Sequence, residues 1–134
     1  MDMEIEGISN FMMFGFIDEW LHTRYRYGGT TKKGIDCSAL TGLILGAVYG
    51  LTLPRTAQLQ YKASKRIAMK DLREGDLVFF NTRGGISHVG VYLANDRFVH
   101  SSSSDGVTIS DLKDSYYARK YIGAGRVANA TQMD

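Results

Sequence analysis

Three residues in this sequence could do covalent chemistry together: the single cysteine, Cys37, and two histidines, His88 and His100, each set among apolar neighbours. A cysteine nucleophile needs a base to take its proton, and the base needs a partner to hold its ring. Cys37 follows a glycine-containing loop and opens a run with helical apolar spacing. At a helix start, unpaired N–H groups and the positive end of the helix dipole gather. Both favour thiolate, so the thiol pKa is expected below its ordinary value. Asp36, one residue earlier, suits an N-cap. The competing reading is an inert core thiol, since free cysteine is among the most buried residue types. Position alone does not decide between them.

The histidines lie in Ile86-Ser87-His88-Val89-Gly90 and Phe98-Val99-His100, both read as strands. They cooperate only from one sheet face, because strand side chains alternate. A two-residue loop at Asn95-Asp96 pairs Val91 with His100 and sends the histidines to opposite faces. A three-residue loop, Ala94-Asn95-Asp96, pairs Gly90 with His100 and sets them side by side. Catalysis therefore requires an odd loop or a bulge. Gly90 across from His100 would leave room for the imidazole.

These residues must be positioned by one domain. The chain has 134 residues, 44% hydrophobic and 22% charged, which excludes a disordered chain. The expectation is a single domain over 1–134, with an ordered core at about 8–127 and short flexible ends. One cysteine excludes an internal disulfide and a thiolate zinc site. A net charge of +2 does not argue for nucleic acid. No cationic segment followed by an apolar run opens the sequence, so targeting is not legible. The uncharged run Cys37–Pro54 reads as a buried helix and its exit rather than a membrane span.

Phe11, Phe14, Ile17 and Leu21, with Trp20 between, give an apolar stripe over about 9–22. These residues, with Met12 and Met13, are expected to pack in the core. Leu40, Ile44, Leu45 and Val48 mark a second helix from Cys37, with Gly50 at its C-terminal cap. A third is expected from about Arg55 to Ser64. From Asp76 the period becomes two: 76–81, 87–94, 97–101, 107–110 and 121–127 read as strands. Short connections imply antiparallel pairing. The fold class is α+β, with helices on one face of the sheet.

At this point the residues resemble a family. Tyr25-Arg26-Tyr27-Gly28-Gly29-Thr30-Thr31-Lys32-Lys33-Gly34-Ile35-Asp36-Cys37-Ser38 resembles the cysteine signature of the NlpC family of papain-like cell-wall peptidases. Leu53-Pro54-Arg55-Thr56, Leu72–Phe80, Ser87–Tyr92 and Phe98–Ser101 follow in the family's order. The resemblance covers about Leu21 to Val127, and the cysteine loop is similar to that of Spr/MepS-type murein endopeptidase lipoproteins. It implies a papain-like NlpC fold, with N-terminal helices on a five- to six-stranded antiparallel sheet.

It also implies a Cys-His-His peptidase acting on peptidoglycan stem peptides without metal or cofactor. By position Cys37 is the nucleophile, His88 the general base and His100 the orienter. Tyr25 matches the tyrosine that helps bind the oxyanion, with the Cys37 N–H as second donor. Asp36 and Ser38 match positions lining the substrate site, and Arg55 is added to them. Arg24, Arg26, Lys32, Lys33 and Arg55 form either a solvated face or an attraction for stem-peptide carboxylates. Ala39 departs from the family's usual glycine after Cys-Ser. His22 matches no catalytic position and reads as a helix-end residue. The favoured bond is the diaminopimelate–D-Ala cross-link, with D-Glu–diaminopimelate as the alternative. The implied setting is the bacterial envelope, as a periplasmic enzyme or outer-membrane lipoprotein, or secretion. Membrane association would come only through a lipid anchor absent from this chain. A monomer is expected, with no nucleic-acid partner. A silent wall-binding module and a permuted papain-like acyltransferase are the competing readings.

Overall fold

The computed structural model describes residues 2–127. The first helix, α1, runs Asp2–Trp20 and so begins well before the stripe near residue 9. The stripe expectation fails in part: Phe11 is 82% exposed, and Phe14 and Met12 are exposed too. Met13 and Ile17, one turn apart, are the buried residues, with Phe16, Trp20 and Leu21 packed beside them. Phe16 stacks on Trp20 at 5.7 Å. The buried stripe is thus rotated about the helix from the one the larger aromatics suggest. His22 follows at φ 69°, past the helix end as expected.

A two-strand ribbon, β1 (Thr30–Thr31) and β2 (Gly34–Ile35), leads into α2, Cys37–Tyr49. Both ends of α2 follow the sequence reading. Asp36 accepts from the Ala39 N–H at 2.9 Å, and Gly50 closes the helix at φ 68° with its N–H on the Gly46 carbonyl. Helix α3 spans Ala57–Ala63, shorter than expected, because Thr56 rather than a residue before it is the cap.

The sheet has six antiparallel strands in the order β3-β8-β4-β5-β6-β7. They are β3 (Lys65–Ile67), β4 (Leu77–Phe80), β5 (His88–Ala94), β6 (Arg97–Ser102), β7 (Gly106–Asp111) and β8 (Tyr121–Arg126). Five match the alternating segments, and β3 is an added edge strand. Between β7 and β8 lies α4 (Ser115–Lys120), which the sequence reading missed.

Placing helices on one face only was incorrect. Met13, Ile17, Leu40, Ile44 and Leu45 pack on the face carrying Leu77, Phe79, Val89, Val91 and Val99. The opposite face carries Val78, Phe80, Tyr92 and Phe98, covered by Leu112 and by Tyr117 of α4. All four β4 residues are consequently buried, which is why that strand reads as an unbroken apolar run. Six residues of α4 are too few to leave a periodic signal.

The β5–β6 hairpin meets the stated requirement by a bulge. Its turn has two residues, Asn95 and Asp96, both at positive φ as a type I′ turn demands. Ala94 pairs with Arg97, but Tyr92 pairs with Phe98 and Val91 with Val99. The extra residue is Leu93. Continuing this register sets Gly90 across from His100, so the histidines share a face.

A Cβ on Gly90 would come within 2.7 Å of Phe98 Cδ2, 2.9 Å of the Val99 carbonyl oxygen and 3.2 Å of His100 Cβ. The carbonyl belongs to the sheet and cannot step aside. Gly90→Ala is therefore expected to destabilise the domain by about 1–3 kcal/mol, the usual cost of overpacking. Urea denaturation is the measurement, and a variant as stable as the parent would contradict the packing described.

Candidate active site

Asp36 organises the approach to Cys37. One carboxylate oxygen accepts from the Ala39 N–H and, at 3.0 Å, from Arg55 Nη1. The other accepts from the Gly28 N–H at 3.1 Å and Arg55 Nη2 at 2.8 Å. Arg55 Nη1 also reaches Ser38 Oγ at 2.9 Å. One acid thus ties the glycine loop, the first turn of α2 and the segment before α3. Burial pulls the Asp36 pKa up, but Arg55 and the Ala39 and Gly28 N–H groups together hold it below the usual carboxylate value.

Two further buried contacts brace this turn. Gln60 of α3 donates from Nε2 to the carbonyls of Ser38 at 3.0 Å and Pro54 at 2.9 Å, while Thr41 donates to its Oε1. Ser101 of β6 donates to the Ile35 carbonyl at 2.7 Å, tying the sheet to the segment before Cys37.

Cys37 and His88 line one cleft at the end of the sheet rather than lying across its face. Helix α2 lies on the face of Val89 and Val91, whereas His88 and His100 occupy the other. His88 opens β5, so its ring turns the sheet's edge into the cleft that Cys37 also lines. The Val89 N–H, next in sequence, hydrogen-bonds the Cys37 sulfur.

The thiol expectation needs correction. Burial pushes the Cys37 pKa above its ordinary value, and the Asp36 carboxylate adds to this. N–H groups of Val89, Ser38 and Cys37 itself pull the other way and do not win. The helix start supplies the N–H groups that the sequence reading invoked, but desolvation outweighs them.

His88 Nε2 and His100 Nδ1 are 2.7 Å apart, with rings nearly perpendicular. His100 is fully buried, and its Nε2 lies 2.8 Å from Ser110 Oγ. Burial lowers both histidine pKa values, His88 to about 4 and His100 to about 3. The positive charge of Arg83 adds to the first, and that of His88 to the second. At neutral pH both imidazoles are neutral, and with Nε2 of His88 engaged by His100, Nδ1 is its other ring nitrogen.

Cys37 stands between two clefts. One, of about 420 Å³, is walled by His88, Ser102, Ser104, Tyr116 and Tyr117. The other, of about 610 Å³, is walled by Asp36, Ser38, Arg55, Thr56 and Tyr27. Tyr25, Cys37, Arg83 and Ser87 belong to both. Cys37 therefore sits at the waist of a continuous groove.

Arg83 escaped the sequence reading, which took Arg83-Gly84-Gly85 for a turn. Its Nη2 donates to the Tyr25 hydroxyl at 3.3 Å. Ser87 Oγ accepts from the Thr82 and Arg83 N–H groups, each at 2.9 Å, and holds that loop in shape. Among the cations singled out earlier, Lys32 is paired with Glu19 and lies over the Trp20 ring. Arg55 is engaged by Asp36. Ser110 and Tyr117 were also missed; sharing the sheet face of His100 across β6–β7 was the only available signal for Ser110.

Among the described residues no cluster of three or more His, Cys, Asp or Glu side chains could hold a metal. No helix there is long and apolar enough to cross a membrane.

Comparison with known proteins follows this geometry. The model of the NlpC/P60 family matches residues 22–126. The chain is 46% identical over 110 residues to a Haemophilus influenzae protein named "Probable endopeptidase NlpC homolog", covering 82% of this chain and 58% of that one. It is 43% identical over 109 residues to an Escherichia coli protein named "Murein DD-endopeptidase MepS/Murein LD-carboxypeptidase", covering 81% of this chain and 58% of that one. A crystal structure from Staphylococcus aureus, described as similar to lipoprotein and of the NLP/P60 family, superimposes with a TM-score of 0.81 at 31% identity. That match covers 90% of this chain and 42% of the other. The chain thus spans a little over half the length of the curated relatives it matches.

Two outcomes follow from the charge states. Iodoacetamide should alkylate Cys37 slowly at neutral pH and faster as pH rises past the ordinary thiol range; a rate already at its plateau at pH 7 would contradict a protonated thiol. The histidines give the second. An unfolded histidine takes up a proton near pH 6.5, whereas folded His88 and His100 resist until about 4 and about 3. Between these values the unfolded state binds more protons, so stability rises with pH and is lost as pH falls below 6.5. Melting temperature should fall from pH 6.5 toward 4, with a shallower slope in His100→Asn.

Proposed function

This chain belongs to the NlpC/P60 family, and from that premise we propose that it is a cysteine endopeptidase acting on peptidoglycan stem peptides, with Cys37 as nucleophile, His88 as general base and His100 as orienter. The observation that carries this reading is the open groove with Cys37 at its waist and His88, backed by His100 at 2.7 Å, in its wall. An endopeptidase must accept chain on both sides of the scissile bond, and clefts lie on both sides of the cysteine.

His88 takes the Cys37 proton at Nδ1 as the sulfur attacks the carbonyl. Because thiol and imidazole both rest neutral, proton transfer and attack belong to one step. Charge then develops on the carbonyl oxygen, which the Tyr25 hydroxyl and the Cys37 N–H receive. The amine leaves with the proton from His88, and water, activated by the same nitrogen, cleaves the thioester.

Arg83 is the guanidinium that a stem-peptide carboxylate meets in the groove, since Lys32 and Arg55 are already engaged. Its contact with Tyr25 also steadies the oxyanion donor. Asp36, Ser38 and Arg55 form the wall of the second cleft. The bond cut is the diaminopimelate–D-Ala cross-link, a choice supported by the name of the Escherichia coli relative and by the loop before Cys37. The site of action is the bacterial cell envelope or the medium around it.

Digestion of purified peptidoglycan, with products identified by mass spectrometry, tests both levels. Cross-linked dimers should fall to monomers with intact tetrapeptide stems. Stems trimmed to L-Ala–D-Glu would keep the peptidase and move the bond to D-Glu–diaminopimelate. Cys37→Ala should fold normally and lose at least about 10³-fold in turnover, as nucleophile removal does. Cleavage by that variant at the parent rate would refute the mechanism.

A further inference from the structure

We infer that Arg83 is a specificity-determining residue: it holds a free carboxylate on the carbon that bears the leaving amine, so the site selects bonds whose leaving residue has that carboxyl group unblocked. This deepens the cysteine-peptidase reading above and rests on it.

The two clefts are not equivalent for the reaction. The leaving amine takes its proton from His88, so it has to lie on the side where His88 stands. His88 walls the cleft of about 420 Å³ and does not wall the one of about 610 Å³. Asp36, Ser38 and Arg55 wall the larger cleft only. The acyl half of the substrate therefore runs over the first turn of α2. The leaving half enters the cleft of Ser102, Ser104 and Tyr116.

Hydroxyl groups dominate that smaller cleft, and Arg83 brings the one permanent charge among its described wall residues. Arg83 forms no ion pair with any described residue. Arg55, by contrast, has both Nη atoms on the two Asp36 oxygens. A guanidinium presents a planar fork of N–H donors that matches a carboxylate. Arg83 spends one of them on the Tyr25 hydroxyl at 3.3 Å, and the others remain for a bidentate grip.

Reach fixes which carboxylate is held. Arg83 lies at the waist, where the clefts meet beside Cys37. Its guanidinium is 5.8 Å from the centre of the Tyr25 ring and bonds the hydroxyl that receives the oxyanion. A carboxylate on the carbon bearing the leaving amine is separated from the attacked carbonyl carbon only by that carbon and the nitrogen. Carboxylates farther along the stem lie out in one cleft or the other. The loop carrying Arg83 is held in shape, with the Arg83 N–H on Ser87 Oγ at 2.9 Å and the Gly84 N–H on Asn81 Oδ1 at 2.8 Å.

Substrate chemistry turns this into selection between bonds. In the diaminopimelate–D-Ala cross-link, the carbon bearing the leaving amine also bears a free carboxylate. In the D-Glu–diaminopimelate bond of a tetrapeptide stem, the corresponding carboxyl is tied up in the amide to D-Ala, and Arg83 meets no charge. Amidation of the cross-link carboxylate would remove the charge in the same way.

The test uses three soluble cross-linked dimers: one with both diaminopimelate carboxylates free, one amidated on the leaving diaminopimelate only, and one amidated on the acyl-side diaminopimelate only. For the parent, kcat/KM should fall roughly 10–100-fold on leaving-side amidation, the usual worth of hydrogen bonds to a charged group, and change little on acyl-side amidation. In Arg83→Gln the preference for the free over the leaving-side amidated dimer should collapse toward one, whatever loss the dimers share through Tyr25. A parent without that preference, or a preference that survives in Arg83→Gln, would overturn the proposal. So would sensitivity to acyl-side in place of leaving-side amidation. A uniform fall on all three dimers in Arg83→Gln, with the ratios kept, marks a residue that only steadies Tyr25 and equally overturns it. If the parent cleaves none of the dimers, the peptidase reading fails. Calorimetric affinities of the same dimers for Cys37→Ala then decide the role of Arg83: equal affinities overturn it, and a preference for the free carboxylate that Arg83→Gln abolishes upholds it.

Discussion

The bulge at Leu93 carries more of this structure than any other backbone feature. Without it, the two-residue Asn95-Asp96 turn would pair Val91 with His100, and every β6 side chain would change faces relative to β5. With it, Val91 and Val99 meet under α2, and Tyr92 and Phe98 meet under Tyr117. Both cores are then built mainly from apolar side chains. The same shift sets His100 opposite Gly90, where no side chain competes with it, and His88 on the same face. Packing and chemistry thus impose one register, and neither could be altered without the other.

Desolvation is the second organising term. The histidines lie beneath aromatic rings of the outer core, Phe80 and Phe98 among them, and burial keeps both neutral. Cys37 is screened by α2 and the sheet edge and stays a thiol. Neutral partners cost less to bury than an ion pair would. In the mechanism proposed above, charge separates only at the moment of attack, when a carbonyl oxygen and two donors are present to receive it. The charged residues at the site are kept at its rim: Asp36 is paired with Arg55, and Arg83 lies against Tyr25. The rim holds the loops in place while the centre remains of low polarity.

Much of this was legible in the chain itself. Asp36 before Cys37 and Gly50 after Tyr49 delimit α2 because capping is a local matter of a few backbone groups. The strands around His88 and His100 are visible because alternation is local too. The need for a bulge could be stated from loop length and face parity alone. The motif around Cys37 carried the family. Errors arose where the deciding term was not local. Phe11 and Phe14 looked like core because they are large and suitably spaced, yet α1 turns Met13 and Ile17 inward. Only the surface it packs against chooses between adjacent stripes of one helix. The short α4 had no periodicity to betray it, so the covered outer face went unseen.

By itself, then, the sequence determined which residues can do chemistry, where the helices are capped and which segments alternate, since each depends on neighbours a few positions away. The tertiary structure decided what those residues are in their resting state. Whether Cys37 is thiol or thiolate is a contest between helix N–H groups and desolvation, and desolvation is a sum over atoms from α2, β5 and the loops. The partners of the His88 ring run through His100 to Ser110, three residues drawn from three strands. Such chains have no signature along the sequence, because each hydrogen bond joins elements that meet only when the sheet has closed.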